Sequence, residues 1–137
     1  MDITRHKIRE TAFQTLFALD ASPDTSRETI YHSVLKMNKN DQVPAYLDQL
    51  VTGVLDHKDE LDQQISALLA HGWTIDRLAK PDLIILRLGL YELQYEDGLP
   101  TAVAINEALQ LARTFSDEKS RKFINGALGN FVKQHHD

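Results

Sequence analysis

The fold is decided by one stretch of the chain, residues 81–93, which has the sequence PDLIILRLGLYEL. Proline is favoured in the first turn of a helix, so Pro81 is the expected first residue. Large apolar side chains then follow at three- and four-residue spacing, which is the period of an α-helix, at Leu83, Ile84, Leu86, Leu90 and Leu93. Because these side chains crowd one helix, the stretch predicts a helix buried deep in the core.

The same helical period recurs on both sides of this stretch. Before it, the spacing predicts a helix over residues 4–20, a second helix opened by a capping box at residues 25–28, and a long third helix over about 44–69 with Gly53 as its expected bend. After it, a turn at residues 97–100 precedes two more helices. No segment alternates apolar and polar residues between hairpin turns, so the chain is predicted to be all-α.

The length of the chain, 137 residues, predicts one compact domain whose core needs no metal or disulfide. Within it we expect two subdomains, about 1–71 and 72–137, that share one core. The chain has no cysteine, which fits a reducing compartment. No apolar run approaches the ~18 residues that span a bilayer, and the first residues do not resemble a secretory signal. We therefore expect a soluble, cytoplasmic protein without membrane contacts.

The charges are distributed unevenly along the chain. The formal net charge is −5, which argues against a generic nucleic-acid coat. Residues 41–62 hold six acids and one base, whereas bases concentrate near both ends, at residues 5–9 and 119–122. If folding brings the two ends together, this acidic protein gains one basic patch.

The sequence offers little for catalysis or metal binding. The six histidines are scattered, and the pair His135-His136 is expected to be a flexible tail. No P-loop, dinucleotide motif or serine-centred elbow is present. Gly126 and Gly129 stand inside the last predicted helix, where glycine costs stability, and are expected to mark a close approach of another helix.

Four stretches, taken together, resemble the NusB family of bacterial transcription antitermination proteins. They are RHKIRETAFQTLF at 5–17, ILRLGLYEL at 85–93, PTAVAINEA at 100–108 and KFINGAL at 122–128. Their order and separation make the set specific over nearly the whole chain, although residues 23–71 contribute little. The resemblance implies a fold of two small helical bundles, no catalysis and no cofactor. It also implies binding of boxA RNA together with ribosomal protein S10, in a complex that keeps RNA polymerase from terminating early on ribosomal RNA operons.

The resemblance places RNA contacts in the first and last helices. A helix N-terminus disfavours cations by roughly 0.3–1 kcal/mol each, so local stability does not explain the bases there. A bound phosphate explains these bases, because the helix N-terminus offers it free N–H groups and the basic side chains offer it positive charge. Without the resemblance, a solvated charged surface would be the simpler explanation of both runs. The expected RNA contacts are Arg5, His6, Lys7, Arg9, Lys119, Arg121, Lys122 and Phe123.

Several of these positions depart from the family or remain open. His6 stands where the family often has arginine, so a histidine replaces a fixed cation and RNA affinity is expected to be lower and to depend on pH. Lys119 stands where some relatives carry an acid, and should strengthen phosphate attraction. The spacing of Phe123 from the apolar residues that follow favours burial, so its stacking role rests on the resemblance alone. Phe17 and Asp82 occupy S10-facing positions, although Phe17 lacks the hydroxyl of the tyrosine often found there.

Two other functions are compatible with the sequence. The domain also resembles the N-terminal module of a ribosomal RNA cytosine methyltransferase family, but the chain has no residues for a cofactor-binding sheet and no catalytic cysteine. An enzyme is therefore expected only if this is a fragment. A helical adaptor or homodimeric scaffold that binds only protein would fit the negative charge and the apolar stripes. The sequence leaves open whether the free chain is a monomer or a homodimer.

Overall fold

The computed structural model describes residues 3–38 and 40–135, and this part of the chain is helical without any strand. The all-α prediction is confirmed. One turn of 3-10 helix, Ile75–Arg77, precedes α5. The helices are α1 Arg5–Ala21, α2 Arg27–Leu35, α3 Ala45–Asp56, α4 Lys58–Leu68, α5 Lys80–Tyr95, α6 Thr101–Phe115 and α7 Glu118–His135.

Helix α5 is the centre of the fold, as its sequence predicts. Every residue from Asp82 to Leu90 is buried, and α1, α3, α4, α6 and α7 all pack against this helix. A Cβ added to Gly89 would lie 3.0 Å from a Leu128 methyl group and 3.5 Å from the Ala108 Cβ, so α6 and α7 approach α5 closely at this point. Helix α5 also holds Glu92 and Asp82, which bind side chains of α1 and α7 respectively.

Helix α1 forms where the sequence predicts it. Thr4 is its N-cap, and the threonine hydroxyl accepts a hydrogen bond of 3.1 Å from the Lys7 backbone N–H. Ile8, Ala12 and Leu16 are buried at helical spacing, which fixes this face of α1 against the core. Two of the predicted cations, Arg5 and Lys7, lie on the exposed side of the first turns.

The region before α5 differs from its prediction at two points. The long third helix is two helices, and the chain breaks at His57, whose Nδ1 lies 2.8 Å from the Gly53 carbonyl oxygen. Gly53 is not the break, because it lies inside α3. A Cβ at this position would overlap the Tyr91 ring, which packs against the glycine. The second helix is capped by Ser26, which accepts a 3.4 Å hydrogen bond from the Thr29 N–H, so the capping box that starts at Thr25 is wrong by one residue.

The last helix corrects another expectation. Gly126 and Gly129 are exposed, and no atom lies within 4 Å of a Cβ added at either position. The predicted close approach of a second helix is therefore wrong. His135 is still helical and stacks on Phe131 with ring centroids 4.1 Å apart, so it is not part of a tail, whereas His136 lies outside the described residues.

The helices share one continuous hydrophobic core. Helix α4 packs against α5 and α7 as well as α3, which joins the two halves of the chain. The division into subdomains near Gly72 stays a prediction. Within the described ranges no helix has both the length and the apolar character needed to cross a membrane.

Candidate nucleic-acid interface

Arg5 and Lys7 lie exposed in the first turns of α1. The Arg5 guanidinium carbon lies 3.8 Å from the centroid of the Tyr46 ring, which is a cation–π contact. Stacking uses the flat face of a guanidinium and leaves the N–H groups along its edge available for a phosphate. The Lys7 ammonium lies 4.0 Å from a Glu10 carboxylate oxygen, at the outer limit of an ion pair. Both cations are accessible to an anion in solution.

His6 lies between two acids of the protein itself. Its Nδ1 is 3.2 Å from a Glu107 carboxylate oxygen, and its Nε2 is 3.4 Å from a Glu10 carboxylate oxygen. The side chain remains 43% exposed. Both ring nitrogens therefore already have partners, and His6 is less available to RNA than its neighbours in the chain.

Arg9 does not belong to this surface, contrary to the expectation that it contacts RNA. Its side chain is only 4% exposed and binds the Glu92 carboxylate through Nε, at 3.0 Å from both oxygens, and through NH2 at 2.9 Å. The Tyr46 hydroxyl donates to the same carboxylate at 2.7 Å, and Glu107 lies 3.7 Å from the guanidinium. Arg9 ties α1 to α5 instead.

The pKa values of Arg9, Glu92 and Tyr46 are shifted because these three side chains are shielded from water. Burial raises the pKa of Glu92, although the charge and hydrogen bonds of Arg9 and the hydroxyl of Tyr46 oppose this effect. Burial by itself lowers the pKa of Arg9, but Glu92, Tyr46 and Glu107 together outweigh burial and raise that pKa. The pKa of Tyr46 is raised by burial and by the same carboxylate, so its hydroxyl stays protonated and donates.

The second group of predicted cations opens α7. Arg121 is engaged by Glu118, with Nε 2.9 Å from a carboxylate oxygen, and this contact lowers the pKa of Glu118. Lys119 and Lys122 are exposed, and no acid of the described chain lies within 4.0 Å of either ammonium group. Of the three cations, these two lysines are therefore the ones available to bind a phosphate.

Phe123 is exposed, which corrects the burial that helical spacing favours. Its exposed fraction is 36%, whereas the next residue, Ile124, is fully buried. The inward stripe of α7 is formed by Ile124, Ala127, Leu128 and Phe131, and Phe123 lies beside that stripe. Its ring is thus accessible next to Lys122, as stacking on a base requires.

The cations of α1 and α7 do not form one compact patch. Arg9 contacts α5 at Glu92, whereas the Ser120 hydroxyl contacts it at Asp82. Ten residues of α-helix separate these two points, which corresponds to about 15 Å along the axis and roughly 80° around it. The prediction that the chain ends converge is wrong in this form. The two groups contact opposite ends of α5 on neighbouring faces of this helix.

The two predicted partner-facing residues lie in different environments. Phe17 is 39% exposed, and its ring centroid is 5.9 Å from that of Phe13. Asp82 is buried, and its two carboxylate oxygens each accept a 2.7 Å hydrogen bond, one from the Ser116 hydroxyl and one from the Ser120 hydroxyl. The visible role of Asp82 is internal, since it holds the start of α7 against α5.

Sequence reasoning missed two residues of this surface. Tyr46 supports Arg5 and also binds Glu92, but nothing in the local sequence links positions 41 residues apart. Trp73 is 53% exposed beside the start of α7. The sequence places Trp73 in a turn, but residue type and position alone do not show whether its ring is exposed.

An all-helical protein with exposed cations at two helix N-termini, and an accessible aromatic ring beside one of them, has the features of a single-stranded RNA-binding protein. The profile of the NusB family matches residues 6–133. The chain belongs to the NusB family, whose members are non-catalytic RNA-binding factors of transcription antitermination.

Individual relatives agree with this assignment. The transcription antitermination protein NusB of Limosilactobacillus reuteri (strain DSM 20016) is 58% identical over 134 residues, which is 98% of this chain and 96% of the relative. NusB from T. maritima has the same fold, with a TM-score of 0.85 at 29% identity, over 100% of this chain and 96% of that one. A chain in the crystal structure of antitermination factors NusB and NusE in complex with dsRNA gives a TM-score of 0.79 at 28% identity, over 96% and 97% of the two chains.

Proposed function

We propose that this protein binds boxA RNA together with ribosomal protein S10, in the cytoplasm, as part of an antitermination complex with RNA polymerase. The observation that carries the proposal is the pair of exposed cations, Arg5 and Lys7, at the N-terminus of α1. Cations weaken a helix at this end, so their placement is best explained by an anionic ligand. The structural relative crystallised with NusE and dsRNA supports the same class of partners.

RNA titration tests the proposal directly. We expect a boxA oligonucleotide to bind more tightly than a scrambled one, and S10 to increase the difference. A protein-binding adaptor would bind S10 and leave RNA mobility unchanged in a gel shift. Binding of both oligonucleotides with equal affinity, with and without S10, would contradict boxA recognition.

Charge reversal locates the site. Arg5→Glu with Lys7→Glu should abolish RNA binding and leave helicity unchanged, because both side chains are exposed. The matched control is Lys58→Glu, which reverses one charge at an exposed position beside the other end of α1 and is compared with Arg5→Glu and Lys7→Glu as single variants. Equal losses of affinity in the three single variants would show that only net charge matters.

The salt dependence of RNA affinity measures how many RNA phosphates the protein neutralises. Arg5, Lys7, Lys119 and Lys122 are exposed, whereas Arg9 and Arg121 are engaged by acids. Four neutralised phosphates of a single strand correspond to a log–log salt slope of about −3. A flat salt response would refute a phosphate-based interface.

The S10 contact is proposed to include Phe17. Phe17→Ala should weaken S10 binding by more than ~1 kcal/mol, which is the cost of truncating one of the few anchor residues that dominate an interface. Tyr95→Ala is the control, since Tyr95 has nearly the same exposure, 38% against 39%. If both variants bind S10 like the parent protein, the partner surface lies elsewhere.

A further inference from the structure

A cleft of about 360 Å³ lies between the turn after α4 and the first turns of α7. Leu69 and Leu78 form part of its apolar lining. Two partly exposed aromatic rings, Trp73 at 53% and Phe123 at 36%, also face it. Neither ring is paired with another aromatic ring of the described residues, so each leaves flat surface open to the cleft.

The charged groups of the cleft are cations. The Arg77 guanidinium lies 5.8 Å from the centroid of a Trp73 ring, and Lys119 is also part of the lining. Neither makes an ion pair with an acid of the described residues within 4.0 Å. Asp82 also lines the cleft, but it is 7% exposed and both its oxygens accept serine hydroxyl groups. The cleft thus combines aromatic faces with a positive rim.

This combination fits one nucleotide of a single strand better than an apolar protein side chain. Bases of every kind stack on aromatic rings, and cations beside the rings attract the phosphate that comes with each base. An apolar side chain would gain nothing from the two cations. Lys122 of the proposed RNA surface directly precedes Phe123 of the cleft. Asp82 in the cleft lies about 15 Å along α5 from Glu92, the residue that Arg9 of α1 contacts, and a few nucleotides of an extended strand span such a length.

We propose that the cleft takes a base of the bound single-stranded RNA, which stacks on Trp73, while Arg77 and Lys119 contact its phosphate. The inference rests on the proposed RNA-binding function and adds Trp73 and Arg77 to it. In this arrangement α1 holds one part of the strand, and the cleft holds a nucleotide further along.

The chain itself contains the probe, because Trp73 is its single tryptophan. RNA binding is followed by anisotropy of an end-labelled oligonucleotide, and stacking is followed in the same titration by quenching of Trp73 fluorescence. The titrations use a boxA oligonucleotide, an oligo(A) of equal length, and S10 alone. We expect quenching that saturates together with the anisotropy change.

Variants separate stacking from structure. Trp73→Ala should weaken RNA binding by about fivefold or more, which is the lower end of the loss of one base stack, whereas Trp73→Phe should retain most of the affinity. Tyr95→Ala is the matched control for loss of an exposed aromatic ring and should leave affinity unchanged. Circular dichroism checks that each variant is folded, which is expected because Trp73 is exposed in a turn.

The outcomes distinguish the two proposals. If boxA RNA binds without quenching and Trp73→Ala binds equally well, the cleft proposal is overturned and the proposed function stands. If only oligo(A) binds and quenches, the cleft is supported and boxA recognition fails. If neither RNA binds, both fail. If S10 alone quenches Trp73 and Trp73→Ala loses S10, the cleft is a protein-docking surface and the proposal is overturned.

Discussion

Replacement of Arg9 by methionine separates the structural role of this arginine from the RNA contact that the sequence suggests. The change keeps a long side chain but leaves the Glu92 carboxylate buried, with the Tyr46 hydroxyl as its remaining donor. Loss of one partner of a buried ion pair costs about 3–5 kcal/mol. With an unfolding entropy of about 2.1 cal/mol/K per residue, a chain of 137 residues should lose roughly 10–17 °C in Tm.

The pH dependence of this deficit has a definite sign. Burial raises the pKa of Glu92, and removal of Arg9 should raise it further. A carboxyl group with a raised folded-state pKa favours the folded protein below its ordinary value of 4.5, and this contribution is lost as pH rises through the folded-state pKa. The Arg9→Met variant should therefore approach the stability of the parent protein as pH falls towards 4.5.

Thermal unfolding followed by circular dichroism measures the stability, and RNA titration well below Tm measures the affinity. Arg9→Met with Glu92→Leu should recover much of the lost stability, because apolar pairs often replace buried ion pairs without cost. RNA affinity of the folded Arg9→Met protein should stay within about twofold of the parent, since Arg9 is buried. An unchanged Tm combined with a collapse of RNA affinity would refute this reasoning and return Arg9 to the interface.

Three further predictions concern the scaffold. Gly53→Ala should lower the free energy of unfolding by about 1–3 kcal/mol in a denaturant titration, because the added Cβ displaces the Tyr91 ring. In the double variant, Tyr91→Ala should relieve that loss. Losses that simply add in the double variant would contradict a clash between the two residues. Lys80→Met should raise the pKa of Asp20, which the Lys80 hydrogen bond lowers, in an NMR titration; an unchanged pKa would show that the 2.9 Å contact is absent in solution. Gly126→Ala should raise Tm by about 2–3 °C, and a lower Tm would reveal a hidden contact at this exposed site.

The helices themselves were predictable because their signals are local. The spacing of Leu83, Leu86 and Leu90 predicts a buried helix, and α5 is buried as expected. The break at His57 was not predictable, because the apolar stripe continues across it and the interruption depends on local backbone geometry. The start of α2 was missed by one residue, since Thr25 and Ser26 are both good caps.

The candidate site was predictable in composition but not in geometry. Arg5 and Lys7 are exposed as expected, whereas Arg9, two residues further along, is enclosed by Glu92. Helical periodicity alone did not separate these side chains, because the acid that encloses Arg9 lies 83 residues away in sequence. The exposure of Phe123 was equally unpredictable, because a shift of one residue along α7 decides whether a side chain faces the core or the solvent.

The amino-acid sequence by itself determined the helical class, the buried centre at α5 and the presence of cations near both chain ends, because each depends on residue type and on spacing within one helix. Only the tertiary structure decided which cations remain free and how far apart they lie. Arg9 is buried in an ion pair with Glu92, and the two basic segments contact opposite ends of α5. The physical reason is that burial and ion pairing depend on distances between helices, which periodicity within one helix does not encode.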